Sequence, residues 1–258
     1  MDSTSAQTSP PTTALPQWAQ QLLKRPLVEI RRGISLDYDP PFEDCSVVAL
    51  TAPSGRYVDV RFRLSPDSKS AIGKDSKRFA GYATAGISSA NLPTGTATCV
   101  PYNCTIHMIW EHPIDSSSSF TTDGADMYLL ANGDTMEIGA MPINGKVRMF
   151  KEYWIQPTEC DLSTYVVVET KPFNAVGRAK GMAIMVGNCC QGILQTENDL
   201  WVERWEMKDG TWIKDARSTT SDDENVVPCR WIIQEAKAAS DSITIEGHTW
   251  EVIEKSGS

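Results

Sequence analysis

The sequence predicts a mostly β protein, with antiparallel strands closing into two barrels or into one barrel plus a companion sheet. Three observations predict it. Short segments rich in Val, Ile, Tyr, Phe and Trp follow one another from about residue 31 onward. Turn signals separate them: Pro53-Ser54-Gly55, Asn132-Gly133-Asp134, Asn144-Gly145 and Lys208-Asp209-Gly210-Thr211. Helical periodicity is scarce.

The elements follow in chain order. Residues 1–15 are rich in Ser, Thr and Pro, a composition that cannot bury enough apolar surface to fold, and read as disordered. PQWAQQLLKR then predicts one short helix. Pro16 suits its first turn, and Trp18, Leu22 and Leu23 give it an apolar face that would close the mouth of something larger. SVVALTAP, RYVDVRFRL, RFAGYATAG, CTIHMIWEH, ADMYLLANGDTMEIGAM and KVRMFKEYWIQ read as strands or hairpins. After IQPTECDLS the pattern resumes with TYVVVETKP, GRAKGMAIMVGN, CCQGILQTEN, LWVERWEMKDG, TWIKDARS, CRWIIQEA and DSITIEGHTWEVIEK. Residues 218–226 read as an acidic loop, and QEAKAASD is the other helix candidate. The expected organisation is a tail plus short helix over 1–30, an N-terminal β-barrel over 31–158 and a C-terminal β-barrel over 159–258.

Composition narrows the function classes. The 258 residues carry a net charge of −9 and 41% hydrophobic residues, enough for a packed core. An acidic chain does not track phosphate backbones, so nucleic acid is not expected as a partner. No run approaches the ~20 apolar residues of a membrane span, and the first residues lack a secretory pattern. We therefore expect an intracellular, cytoplasmic protein without membrane insertion. The seven cysteines, at 45, 99, 104, 160, 189, 190 and 229, include no CxxC, and reduced thiols are expected. Dinucleotide fingerprints, P-loops, serine-hydrolase elbows and kinase signatures are missing, so no cofactor is expected.

The densest chemistry lies in CTIHMIWEHPIDS, residues 104–116. On a strand, Cys104, Ile106, Met108, Trp110 and His112 share one face, and Thr105, His107, Ile109 and Glu111 the other. His107 and Glu111 are then ~13 Å apart, too far for one metal, and no metal site is expected. In RYVDVRFRL, Tyr57, Asp59, Arg61 and Arg63 share a face opposite Val58, Val60, Phe62 and Leu64. In KEYWIQ, Phe150, Glu152 and Trp154 share a face. Faces mixing aromatic and charged groups suit a polar-lined pocket as well as a solvated surface. Cys189-Cys190 could be nucleophilic, though no base neighbours it in sequence.

Three groups of segments together resemble one fungal family. They are LTAPSGRYVDVRFRL with RFAGYATAG; HPIDS with NGDTMEIGAMPINGKVRMFKEYW; and AKGMAIMVGNCCQGIL with LWVERWEMKDGTW. Their shared order and spacing, over roughly residues 34–250, are similar to the two-domain, lipocalin-like family first named in yeast for an interaction with a casein-kinase-type kinase. The resemblance implies two lipocalin-like antiparallel β-barrels side by side, with few short helices. One branch looks like the hetero-Diels–Alderases of fungal tropolone–sesquiterpenoid pathways, cofactor-independent pericyclases that join a tropolone o-quinone methide to a humulene-type alkene. RFAGYATAG lacks the tryptophan expected before the family's Ala-Gly, and FKEYW replaces a more acidic version, departures that favour this branch.

Such chemistry needs two apolar partners held in one orientation, donors aimed at the tropolone oxygens and, for a dehydration step, a general acid. The resemblance then suggests Arg61 to hold the tropolone oxygens, Asp59 to orient Arg61, His112 or Glu152 as acid and base, and Tyr82 as a further donor. Met108, Trp110, Phe150 and Trp154 would form the apolar substrate wall. The expected partners are a tropolone and a sesquiterpene, with a homodimer left open. The other reading is a non-enzymatic binding protein of the same fold, for an apolar ligand or a protein kinase.

Overall fold

The computed structural model describes residues 15–64, 83–92, 105–116, 122–143, 145–171, 179–218, 225–235 and 241–256. A short helix, α1 (Gln17–Leu23), leads into eight antiparallel strands: β1 (Leu27–Leu36), β2 (Cys45–Thr51), β3 (Arg56–Arg63), β4 (Ala83–Asn91), β5 (Thr105–Asp115), β6 (Asp123–Leu129), β7 (Thr135–Ile143) and β8 (Lys146–Ile155). They pair in sequence order, and β8 returns to β1, which closes the barrel. The chain continues into β9 (Tyr165–Lys171), β10 (Lys180–Val186), β11 (Cys189–Gln195), β12 (Leu200–Lys208), β13 (Thr211–Lys214), α2 (Cys229–Glu235), β14 (Ser242–Ile245) and β15 (His248–Lys255). These strands form a seven-stranded sheet in the order β13-β12-β11-β10-β9-β15-β14. The architecture is thus two barrel-like units, the first closed and the second half-open.

The turns follow their residues. Asp209 and Gly210 both have positive φ (50° and 75°), as the two-residue β12–β13 hairpin requires. Gly55 (φ 82°) and Gly133 (φ 88°) close the β2–β3 and β6–β7 turns. Of the Asn144-Gly145 turn only Gly145 is described, with φ 76°.

Two strands of the barrel depart from the expected alternation, as does β15 of the sheet between Val252 and Glu254. β1 begins at Leu27 and carries a register shift between Arg31 and Gly33. Its LVEIRRGISL therefore lacks a clean period of two, and its first residues fall in the stretch the sequence assigned to tail and helix. The second irregularity lies between β4 and β5, where Ile87 pairs Glu111 but Ala85 pairs Ile114. Gly86 opposes the extra residue. A Cβ there would lie 1.8 Å from the Glu111 carbonyl oxygen, so only glycine admits this approach.

CRWIIQE, expected as a strand, forms the helix α2. A short apolar run reads equally as buried strand or buried helix. Here Ile232 N–H donates to the Pro228 carbonyl at 2.9 Å, and Trp231 and Ile232 are buried. α2 and the preceding Val226 and Val227 pack with Val168, Met185, Cys190, Leu194 and Trp250, on one face of the sheet. What would be the second unit's hollow is filled.

The sheet's other face packs on the barrel. Val28, Val48, Leu50, Val58, Val60 and Phe62 point out of the barrel and meet Val167, Met182, Ile184, Ile193 and Val202. Polar side chains cross the same interface. Arg204, 1% exposed, donates from Nε to Gln191 Oε1 (2.8 Å), from Nη1 to Ser46 Oγ (2.9 Å) and from Nη2 to the Val60 carbonyl (2.5 Å), and its guanidinium lies 4.8 Å from the Phe62 ring centre. Gln191 Nε2 in turn donates to the carbonyls of Val48 (3.0 Å) and Val58 (3.2 Å). Burial pulls the Arg204 guanidinium down to about 10, against the pull of Asp215, so it stays charged at neutral pH.

Candidate functional site in the first barrel

With Val58, Val60 and Phe62 facing outward, the alternate residues of β3 face the barrel interior. Register extends the assignment around the barrel. Ala49 opposes Asp59, Glu29 opposes Ala49, Glu137 opposes Glu152, Thr135 opposes Trp154, Met127 opposes Ile106 and Met108 opposes Ala125. The polar face of β3 and the mixed face of β8 therefore look into the same barrel.

The end of the barrel under α1 is hollow. A cavity of about 180 Å³ is walled by Trp18, Leu23, Leu27, Ile106, Met108, Trp110 and Met127, with Glu29, Thr51, Ser88 and Thr135 among its polar residues. Arg25 also lines it and donates to Gln156 Oε1 at 2.9 Å. α1 is held there by its apolar face, with Ala19 fully buried and Trp18 and Leu23 packed with Ile106 and Met108. The Trp18 indole N–H is buried and has no partner among the described residues, which leaves a donor at the cavity wall.

Two residues further along the same strands lies a layer of charge. Arg31 makes a two-pronged contact with Glu43 (3.0 and 2.9 Å) and a 2.5 Å contact from Nη1 to Glu152 Oε1. Arg61 donates from Nε and Nη2 to Asp59 Oδ2 (2.9 and 2.6 Å), and its Nη1 lies 3.6 Å from Glu152 Oε1. Trp154 Nε1–H donates to Glu137 Oε2 at 3.0 Å. Phe150 lies over Gly139, where a Cβ would come within 2.5 Å of the ring.

Two guanidiniums, Arg31 and Arg61, thus face the carboxyls of Asp59, Glu137 and Glu152, with Glu43 at the edge and Glu29 two residues nearer the cavity. Asp59 and Glu152 are matched by the guanidiniums. Glu29 and Glu137 are in excess, and both hold their protons more tightly than usual. Burial raises Glu29 from its ordinary 4.5 to about 7, against a hydrogen bond with Thr135 and the attraction of Arg25. Glu29 keeps some free surface, but it lines the cavity. Glu137 is pushed well up by burial and by the charge of Glu152 opposite it, with Arg61 and the Trp154 N–H pulling the other way. For Arg31 and Arg61 burial opposes the charge, but the surrounding carboxylates outweigh it and raise both.

The residues expected from sequence are placed as follows. Met108 and Trp110 line the cavity. Asp59, Arg61, Glu152 and Trp154 come together inside the barrel, outside the lining of the cavity, while Phe150 packs with Ile34, Ala125 and Trp110. Arg61 is engaged by Asp59 and Glu152, so the role of holding a ligand's oxygens would require exchanging those contacts. His112 is not part of the cavity lining that includes Trp110. It falls in the β5 irregularity, meets the Tyr57 ring edge-on at 6.1 Å, and places Nε2 3.5 Å from Asp123 Oδ2. Tyr82 lies outside the described residues. His107 pairs with Asp126 at 2.9 Å rather than with Glu111. Among the described residues, no three His, Cys, Asp or Glu side chains form a group that could hold a metal.

Sequence reasoning missed Glu29, Arg31 and Glu137, and gave Trp18 an apolar closing role without its indole donor, which has no partner among the described residues. Glu29 and Arg31 sit on the bulged strand. Glu137 is a lone acid in TMEIGAM, and the available signal was its place opposite Glu152 across the Asn144-Gly145 hairpin.

Among curated proteins no sequence matches. The crystal structure of the uncharacterized protein YLR301w from Saccharomyces cerevisiae superimposes with a TM-score of 0.67 at 18% identity, over 90% of this chain and 99% of that chain. The likeness establishes the shared fold. The profile of the protein HRI1 family matches residues 27–254, from the first barrel strand nearly to the end of the last sheet strand, and the chain belongs to that family.

Proposed function

We propose that the hollow of the first barrel binds an apolar small molecule bearing oxygen, and that the protein acts there as a cofactor-independent hetero-Diels–Alderase joining a tropolone o-quinone methide to a humulene-type alkene. One observation carries the reading: an apolar, tryptophan-walled cavity includes a carboxyl that burial keeps protonated up to about pH 7. A neutral acid in an apolar pocket can donate a hydrogen bond to a ligand oxygen without a charge to desolvate. In the dehydration that forms a quinone methide, Glu29 would pass its proton to the departing hydroxyl, water would leave, and the Glu29 carboxylate would take up the proton that the tropolone O–H loses. The Trp18 N–H supplies a second donor for a tropolone oxygen. The cycloaddition then needs only that the two reactants be held together in one orientation.

A second reading has its own support. The cavity, about 180 Å³, is below the ~300–1,000 Å³ usual for ligand pockets, and suits one ring-sized molecule better than two reactants. A lipocalin-like carrier of one apolar ligand fits that volume. For the enzyme, the alkene would lie at the mouth beside α1.

A product assay separates the two. The purified protein is mixed with a hydroxymethyl tropolone precursor and a humulene-type alcohol, and adduct formation and diastereomer ratio are followed against a no-protein control. The enzyme gives a faster, single-isomer adduct. An unchanged mixture from folded protein overturns the enzymatic reading, and ligand titration and kinase pull-down then test the carrier and docking alternatives.

A further inference from the structure

The barrel chemistry leaves two cysteines unused. Cys160 lies in the segment between β8 and β9, and Cys189 opens β11. The turn between β10 and β11 brings them together. Cys160 Sγ is 3.8 Å from the Val186 carbonyl, and a Cβ on Gly187 would lie 3.0 Å from that sulfur. Val186 and Cys189 are register partners across the turn, which sets the Cys189 thiol beside that of Cys160, with Cys189 Sγ also 3.7 Å from Asn188 Oδ1. Both cysteines are only half-buried, and Cys189 lines a second hollow of about 170 Å³ with Ile30, Val48, Pro157 and Met207.

We propose that Cys160 and Cys189 form a peroxide-sensitive thiol pair that oxidises to a disulfide, fastening the segment between barrel and sheet to the β10–β11 turn. The Cys160 thiolate attacks one oxygen of hydrogen peroxide. The O–O bond breaks, hydroxide leaves and takes up a proton as water, and Cys160 becomes a sulfenic acid. The Cys189 sulfur then attacks that sulfur, the S–O bond breaks and a second water leaves. Two thiols and one peroxide become one disulfide and two waters.

The surroundings support the roles. The hydrogen bond from Cys189, with a further one from the Asn188 backbone N–H, lowers Cys160 to about 7 despite partial burial and the charge of Asp161. Donating that bond, together with burial, raises Cys189, which suits a thiol that waits and then resolves. The protein contains its own controls. Burial pushes Cys45 up to about 11, and Cys229, fully buried beside Cys190, is also pushed well up.

The test uses the full chain with all cysteines present. Iodoacetamide labelling at neutral pH, followed by peptide mapping, should alkylate Cys160 roughly tenfold or more faster than Cys45. Hydrogen peroxide should yield one reducible cross-linked peptide pair containing Cys160 and Cys189. In Cys189→Ser, a dimedone-type probe should capture Cys160 as the sulfenic acid. The proposal is overturned if Cys160 reacts no faster than Cys45, or if peroxide links either cysteine to another thiol or leaves both reduced.

Discussion

Replacing Glu29 by glutamine tests the central feature of the site without needing a substrate. Glutamine has nearly the shape of a protonated glutamate, so the variant should resemble the acid form of the wild type. Burial raises Glu29 in the folded protein from 4.5 to about 7. A raised acid stabilises the fold fully below its unfolded value and loses that contribution as pH climbs through the folded value. Each pH unit in that window is worth about 1.4 kcal/mol. Between about pH 5 and about pH 8 the wild type should therefore lose roughly 2–3 kcal/mol that Glu29→Gln does not lose. Urea unfolding of both proteins at the two pH values measures this directly. The variant should gain on the wild type by that amount as pH rises. A stability difference that stays the same at both pH values would refute the buried-acid assignment, whatever the product assay shows.

Two further outcomes follow from the same geometry. Trp110→Ala should weaken ligand binding or blur product selectivity while costing only about 1–3 kcal/mol of stability, since its ring is half-buried at the cavity wall; chemical denaturation and the product assay check the two halves. Arg204→Met should cost about 3–5 kcal/mol in urea unfolding, because it strands the Gln191, Ser46 and Val60 oxygens in a dry interface.

Much of this site could be seen in the chain, because strand alternation is a local property. Asp59 with Arg61, Phe150 with Glu152 and Trp154, and Met108 with Trp110 each share a face, and those faces turn out to look into one barrel. What could not be seen was the depth of each residue along the barrel. Alternation separates inside from outside, but cavity wall and charged layer lie on the same inside face. Bulges hid the rest. The irregularity at Arg31–Gly33 broke the pattern of β1 and with it Glu29, and the one opposite Gly86 interrupts β5 at His112, beyond the cavity wall. Arg204 and Gln191 read as polar residues within strands, which ordinarily means a solvated face. Only the packing of a second sheet against the first barrel makes them interior.

That packing has a consequence for how damage spreads through the molecule. The barrel's outer wall along β1 to β3 is apolar because the sheet covers it, and Arg204 finds its partners only when both are in place. Neither half presents a water-compatible surface alone. The chain should melt as one cooperative block, and a lesion in the sheet, far from any ligand, should be felt as a lowered population of the hollow that receives it.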